Sequence, residues 1–257
     1  MPFPEEDIKK LIPYYELLCK EFSKGYVKFF PQVGAEYFNG NHKKIMIVGK
    51  ACNGWVEAGK SNDIEMLFKD GSGIVNRQDQ MDWVKAAWPR NIHDENGKKL
   101  YSTSRSAFWT FSRKFASTLL AHDLKLDNDL DYFDYIAWSN LYKVSPSKGG
   151  NPNQKDCNNQ AEICTKIFKT ELEILKPDFI FFFTSGWEFS PVWKRDVFGC
   201  LEDKTLKLTE WKDNKIISYK EKIEDNHTAV FIHAQHPQGK PSCYFDAINK
   251  VILDWKN

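Results

Sequence analysis

Four short apolar runs punctuate a chain that is otherwise organised by helical spacing. They are KIMIV (Lys44–Val48), YIAWSNL (Tyr135–Leu141), DFIFFFT (Asp178–Thr184) and AVFIHA (Ala229–Ala234). Each is dense in β-branched or aromatic residues and lacks clean alternation, the pattern of strands covered on both faces of a parallel sheet. Helical patterns lie between them. RSAFWTFSRKFASTLLAH precedes the second run and QAEICTKIFKTELEILK the third. In the latter Ile163, Ile167, Leu172 and Leu175 keep helical spacing, and Pro177 ends the helix. Further helices are expected over Glu5–Phe22 and Cys243–Trp255. LKLTEWKDNKIISYKEKI alternates around Asp213–Asn214 and reads as an added hairpin, and Asn91–Lys99 reads as polar loop.

Strand–helix alternation of this kind predicts an α/β fold. The expected architecture is a three-layer α/β/α sandwich with a central, mainly parallel four-stranded sheet and an inserted hairpin. Right-handed crossovers would place the functional loops at the carboxyl ends of the strands. The sequence shows no internal repeat, low-complexity segment or linker, so residues 1–257 are expected to form one domain. Insertions are expected near 56–100 and 203–222.

Composition narrows the classes. The 257 residues are 42% hydrophobic and 28% charged with a net charge of +1, so no global basic field announces a nucleic acid. A DNA partner would need a local basic cleft. The six cysteines form no C-x-x-C pair, which argues against a zinc ribbon or cluster and for free thiols in a reducing cytoplasm. Neither a metal nor a cofactor is expected. The start, MPFPEEDIKK, is charged and unlike a secretory signal, and no apolar run reaches the ~20 residues of a membrane helix. The expectation is a cytoplasmic protein without a membrane partner, and no obligate protein partner is inferred.

The segment IMIVGKACNGWVEAGKSNDI (Ile45–Ile64) admits two frames. Gly54–Ser61 fits the phosphate-loop pattern G-x-x-x-x-G-K-[ST]. A phosphate loop works because a strand runs directly into the first Gly and a helix opens at the Lys-Ser pair. Here the run ends near Gly49, several residues early, and the loop would place Trp55 and Glu57 where a polyanion belongs. Asp178 begins its run instead of ending it, so no carboxylate is placed to hold magnesium. The NTPase reading is therefore remote.

In the other frame the strand delivers Gly49 directly into GKACN. The chain continues through SRSAFWTFSRKF, SNLYKVSPS, LKPDFIFFFTSG and HAQHPQG, in that order. In order and spacing these segments resemble the uracil-DNA glycosylase superfamily, especially its bacterial thermophile-type and mismatch-specific branches. Those proteins carry GEAPG, GQDPYH or GMNPG after the first strand, then GR[AS]G, TNVVKCRPP, L.P..IVALG and HPS. The resemblance covers most of Lys43 to Trp255. It implies a DNA-repair hydrolase that flips uracil or a related damaged base and cleaves its glycosidic bond. A base inside a duplex is unreachable, so flipping into a pocket comes first.

The resemblance then assigns roles. Asn140 matches the family's base-reading Asn, whose carboxamide donor and acceptor suit uracil O4 and N3–H; a strand-end Asn bonded to backbone is the alternative. His236, followed by Pro237, matches the His that donates to the anion developing on uracil O2. His233 within the strand is expected to pack. Gly49, Ala51 and Cys52 would border the base. The stacking aromatic is expected at Tyr101, with Phe108 and Trp109 as alternatives. Lys143, Ser145, Lys148 and Lys240, in Gly/Pro-bearing loops, would contact DNA phosphates, or else lie on a solvated surface.

The first loop departs from the family. Active relatives place Asp, Asn or Glu at its second or third position to activate or orient water; this chain has Lys50 and Ala51. A cation beside the sugar would oppose a positive transition state, whereas a neutral, desolvated Lys50 would serve as a base. Asn53 is the nearest polar substitute and, with Lys50 and His236, completes the candidate catalytic set. Cys52 replaces the motif's Pro, Gln238–Gly239 offers no apolar wedge, and the four cluster cysteines of the thermophile-type branch are missing. A catalytically weak or inactive protein that binds a nucleobase, nucleotide or nucleic acid is the alternative function.

On this reading the protein neither binds nor hydrolyses ATP or GTP with magnesium. Micromolar nucleotide binding that Lys60→Ala abolishes would restore the phosphate-loop frame.

Overall fold

The computed structural model describes residues 4–52, 81–91, 93, 95–199, 201, 204–212, 214–224 and 226–256. The phosphate-loop frame at Gly54–Ser61, Asn53 and most of the expected first insertion lie outside them.

The chain is mixed α/β. It opens with α1 (Glu5–Glu21), the short strands β1 (Tyr26–Lys28) and β2 (Gln32–Val33), then β3 (Ile45–Gly49) and α2 (Asp82–Ala86). It continues through α3 (Ala107–Leu120), β4 (Ile136–Asn140), β5 (Val144–Pro146), α4 (Gln154–Leu175) and β6 (Phe179–Phe183). After a short α5 (Pro191–Trp193) come β7 (Lys207–Trp211), β8 (Asn214–Glu224), β9 (His227–Ala234) and α6 (Ser242–Lys256). No helix among the described residues is long and apolar enough to cross a membrane.

One open sheet runs in the order β2-β4-β3-β6-β9-β8-β7. This corrects the expectation of a four-stranded sheet, since the four expected strands form the centre of seven. The pairs β4–β3, β3–β6 and β6–β9 are parallel, while β2–β4, β9–β8 and β8–β7 are antiparallel. The sheet is therefore mixed. The physical reason lies at its edges. The hairpin β7–β8 docks on the free edge of β9 and extends the sheet instead of standing apart from it. The two-residue β2 is too short for any periodicity to reveal.

Every residue of β3, β4 and β6 is buried. Because successive side chains alternate faces, each strand feeds two cores. Met46, Val48, Ile180 and Phe182 pack with residues of α1 and α4; Ile45, Ile47, Phe179, Phe181 and Phe183 pack with α3 and α6. Each fully buried Phe is worth about 1.5–3 kcal/mol. Helix α4 begins six residues earlier than its apolar spacing shows, because Asn153 caps it by accepting the Asp156 N–H at 2.9 Å. It ends at Lys176, whose φ of 45° turns the chain left-handed before Pro177.

Gly34, just after β2, is held against the turn preceding β4. A Cβ there would meet the Asp134 carbonyl carbon at 2.3 Å and the Phe133 oxygen at 2.4 Å, both backbone atoms. Gly34→Ala is therefore expected to destabilise the fold by about 1–3 kcal/mol, the usual range for overpacking, measurable by urea unfolding. Wild-type stability in this variant would show that β2 does not need this close approach.

Candidate functional site

Parallel pairing fixes the site's first two components. In the register of β3 and β4, Gly49 lies opposite Asn140. The pairing continues past the strand ends, with Leu141 N–H donating to the Gly49 carbonyl at 2.9 Å and Tyr142 N–H to that of Lys50 at 3.0 Å. The third component leaves β9. There the Tyr244 hydroxyl of α6 accepts the Gln235 N–H at 2.6 Å and donates to the Gln235 carbonyl at 3.1 Å. The next residue, His236, donates its N–H to Ser185 Oγ at 3.0 Å. These strand ends surround a cavity of about 770 Å³, within the range of small-molecule sites. Gly49, Lys50, Ala51, Cys52, Tyr101, Asn140 and His236 all line it.

Asn140 is 1% exposed, and its Nδ2 has no hydrogen-bond partner among the described residues. A buried donor left unmet costs about 1–3 kcal/mol, so it calls for a ligand or a water. Its Oδ1 occupies the space a side chain at residue 49 would need, 2.4 Å from a notional Gly49 Cβ. The strand-end alternative, an amide spent on backbone, leaves this donor unexplained.

The His236 Nδ1 accepts the Gln238 N–H at 3.2 Å, which puts the proton of the neutral ring on Nε2. Burial, and after it the Lys50 charge, push the imidazole below its ordinary value of 6.5. His236 is thus a neutral donor near pH 7. Its ring lies nearly parallel to Phe108, at 20° and 6.1 Å between centroids.

Lys50 holds its Nζ 5.1 Å from the centre of the Trp187 ring. Ala51 is half-buried and Cys52 buried. All three aromatic candidates, Tyr101, Phe108 and Trp109, line the cavity. Tyr101 is 61% exposed and stands at the rim, whereas Phe108 and Trp109 are buried. Trp109 contacts Phe108, Trp83 and Trp138 edge-on, at 4.8, 5.3 and 4.9 Å between centroids. The sequence reading missed Trp83, Ser106, Trp138, Asn151 and Gln238, all of which line the cavity. Trp138 had a signal, since it sits two residues before Asn140 on the same face of its strand. Trp83 had none, lying in a stretch read as insertion.

The phosphate-contact set separates. Lys143 is fully buried in an ion pair with Glu171 at 2.7 Å. Ser145 is fully buried within β5, opposite Val27 of β1. Neither reaches a phosphate, and both assignments are corrected. The Gly/Pro loop conceals the strand β5, and the chain from Lys143 to Ser145 is buried throughout. Lys148 is exposed and outside the cavity lining. Lys240 is half-buried, with Nζ 5.5 Å from the Trp211 ring and 6.0 Å from Tyr244. His233 packs within β9, hydrogen-bonded to Glu188 and Tyr219 at 3.1 Å each. Among the described residues no group of three or more His, Cys, Asp or Glu side chains converges as metal ligands do.

The depressed His236 value sets a sign. Between the ordinary and depressed values the unfolded chain takes up a proton that the folded chain refuses. This group's contribution to stability therefore falls as pH drops through that window. Lys50→Met should move the His236 midpoint upward in an NMR titration while leaving it below 6.5, because burial is the larger cause. An unmoved midpoint would sever the coupling between the two groups. Comparison with known proteins returned no family model that matches the chain and no curated protein that matches it.

Proposed function

We propose that the cavity receives a nucleobase flipped out of DNA, and that excision of uracil or a related damaged base is the reaction its polar groups support. The observation that carries this reading is the unmet Asn140 amide donor, lining one cavity with a neutral His236. The four parallel central strands, with helices packed on either side, are read here as the core of a glycosylase-like three-layer sandwich.

In this mechanism the Asn140 carboxamide donates to uracil O4 and accepts from N3–H, a pairing that cytosine mismatches. The buried face of Phe108 is the surface for stacking, and Tyr101 at the rim contacts the base or its neighbour as it enters. As the glycosidic bond lengthens, negative charge grows on O2 and the His236 Nε2–H is the donor for it. A neutral imidazole with a fixed Nδ1 needs no reorganisation to do so.

A second reading, recognition of a base without efficient excision, is favoured by Lys50. It stands where the resembled family places a water-activating group, and no carboxylate is among the described residues lining the cavity. A cation there disfavours an oxocarbenium-like sugar.

Purified protein incubated with uracil-containing oligonucleotides, then treated with alkali to cleave abasic sites, separates the two readings. Asn140→Asp should weaken uracil binding by roughly 10–100-fold, since a carboxylate cannot donate to O4. His236→Ala should lower turnover by about 10²–10³ while changing binding far less. If the wild type binds uracil without cleaving, Lys50→Glu is the variant expected to gain activity. Full uracil affinity in Asn140→Asp would end the base-reading proposal.

A further inference from the structure

Behind Asn140, on the side away from the cavity, the chain buries a complete ion pair. The side chains of Lys143 and Glu171 are both 0% exposed, with Nζ and Oε1 2.7 Å apart. The Lys143 ammonium also donates to Ser139 Oγ at 2.6 Å and to the Asn140 carbonyl at 2.7 Å. The ammonium thus joins two hydrogen bonds on β4 to an ion pair on α4. The Ser139 hydroxyl in turn donates to Glu171 Oε2 at 2.6 Å.

The same helix supplies the rest of the grip. From α4, Gln160 brackets Val144, accepting its N–H at 2.9 Å and donating to its carbonyl at 3.1 Å. Cys164 Sγ accepts the Lys143 N–H at 3.4 Å. Gln160, Cys164 and Glu171 lie four and seven residues apart, spacings that keep them on one helix face. The segment from Ser139 to Val144 is therefore fastened to α4 by polar side chains along its length.

A buried ion pair is weak evidence for stability, because well-packed apolar residues of similar volume often serve as well or better. What apolar residues cannot do is hold a carbonyl oxygen. We propose that Lys143, backed by Glu171, is a positioning residue: it fixes the Asn140 backbone so that the carboxamide meets a base without reorganising. The proposal rests on the base-reading role of Asn140 given above. It replaces the phosphate-contact role that the sequence alone suggested for Lys143.

The test compares wild type, Lys143→Met, Glu171→Gln and the double variant Lys143→Met/Glu171→Leu. Three readouts are thermal stability, uracil affinity by calorimetry, and the Asn140 side-chain NH₂ resonances by NMR. Lys143→Met alone strands a buried carboxylate and should melt earlier. The double variant should recover stability, yet bind uracil about tenfold more weakly, as a displaced contact group does. Its Asn140 amide resonances should shift and show increased mobility. Glu171→Gln, nearly isosteric, should move them the same way by less, and it decides the matter if the double variant does not fold. Wild-type affinity and unshifted Asn140 resonances in a stable double variant would reduce the pair to a structural element. If wild type itself does not bind uracil, the base-reading proposal fails, and the Asn140 resonances alone decide the clamp.

Discussion

The candidate site depends on one close approach, the bare Cα of Gly49 against the carboxamide of Asn140. That contact exists because β3 and β4 pair in parallel with these residues opposite each other. The register is fixed from a distance. A slip of one residue would exchange the side chains bound for α1 and α4 with those bound for α3 and α6, and both cores would fail together. Burial on two faces therefore sets the geometry of a polar pair at the strand ends. Any side chain at position 49 would occupy the volume the amide now fills.

Much of the fold was legible because strands buried on both faces leave an unmistakable apolar signature. The four central strands and the helices α1, α3, α4 and α6 all fall where spacing put them, with ends shifted by a few residues. What escaped was short or relational. β1, β2 and β5 have two or three residues each, too few to show a period. The hairpin was legible as a hairpin, but its docking onto β9 depends on an edge that the sequence does not display. The site followed the same division. Gly49, Asn140 and His236 were readable as polar or small residues at strand ends. Lys143 and Ser145 were misread because their segment looks solvated and is instead buried, just before β5 and within it.

Two buried polar networks lie near the strand ends. One network joins Lys143, Glu171 and Ser139 beneath β4. Another joins Tyr219, His233, Glu188 and Thr184 beside β6 and β9, with both ring nitrogens of His233 in hydrogen bonds and the Thr184 hydroxyl on Glu188. In low-dielectric surroundings such networks are strong when complete and costly when broken. The unmet amide of Asn140 is one of several buried polar atoms without a hydrogen-bond partner among the described residues, and among them it belongs to a residue that lines the cavity.

The grip of Tyr244 on Gln235 has a mechanical consequence. One phenol oxygen holds both the N–H and the carbonyl of the residue before His236, and Ser185 holds His236 itself. The wall of the cavity that carries the imidazole is thereby welded to the C-terminal helix and has no hinge of its own. Tyr101 stands on the opposite footing, 61% exposed. Accommodation of guests of different size thus falls to the rim, while the donor on the fixed wall keeps its aim.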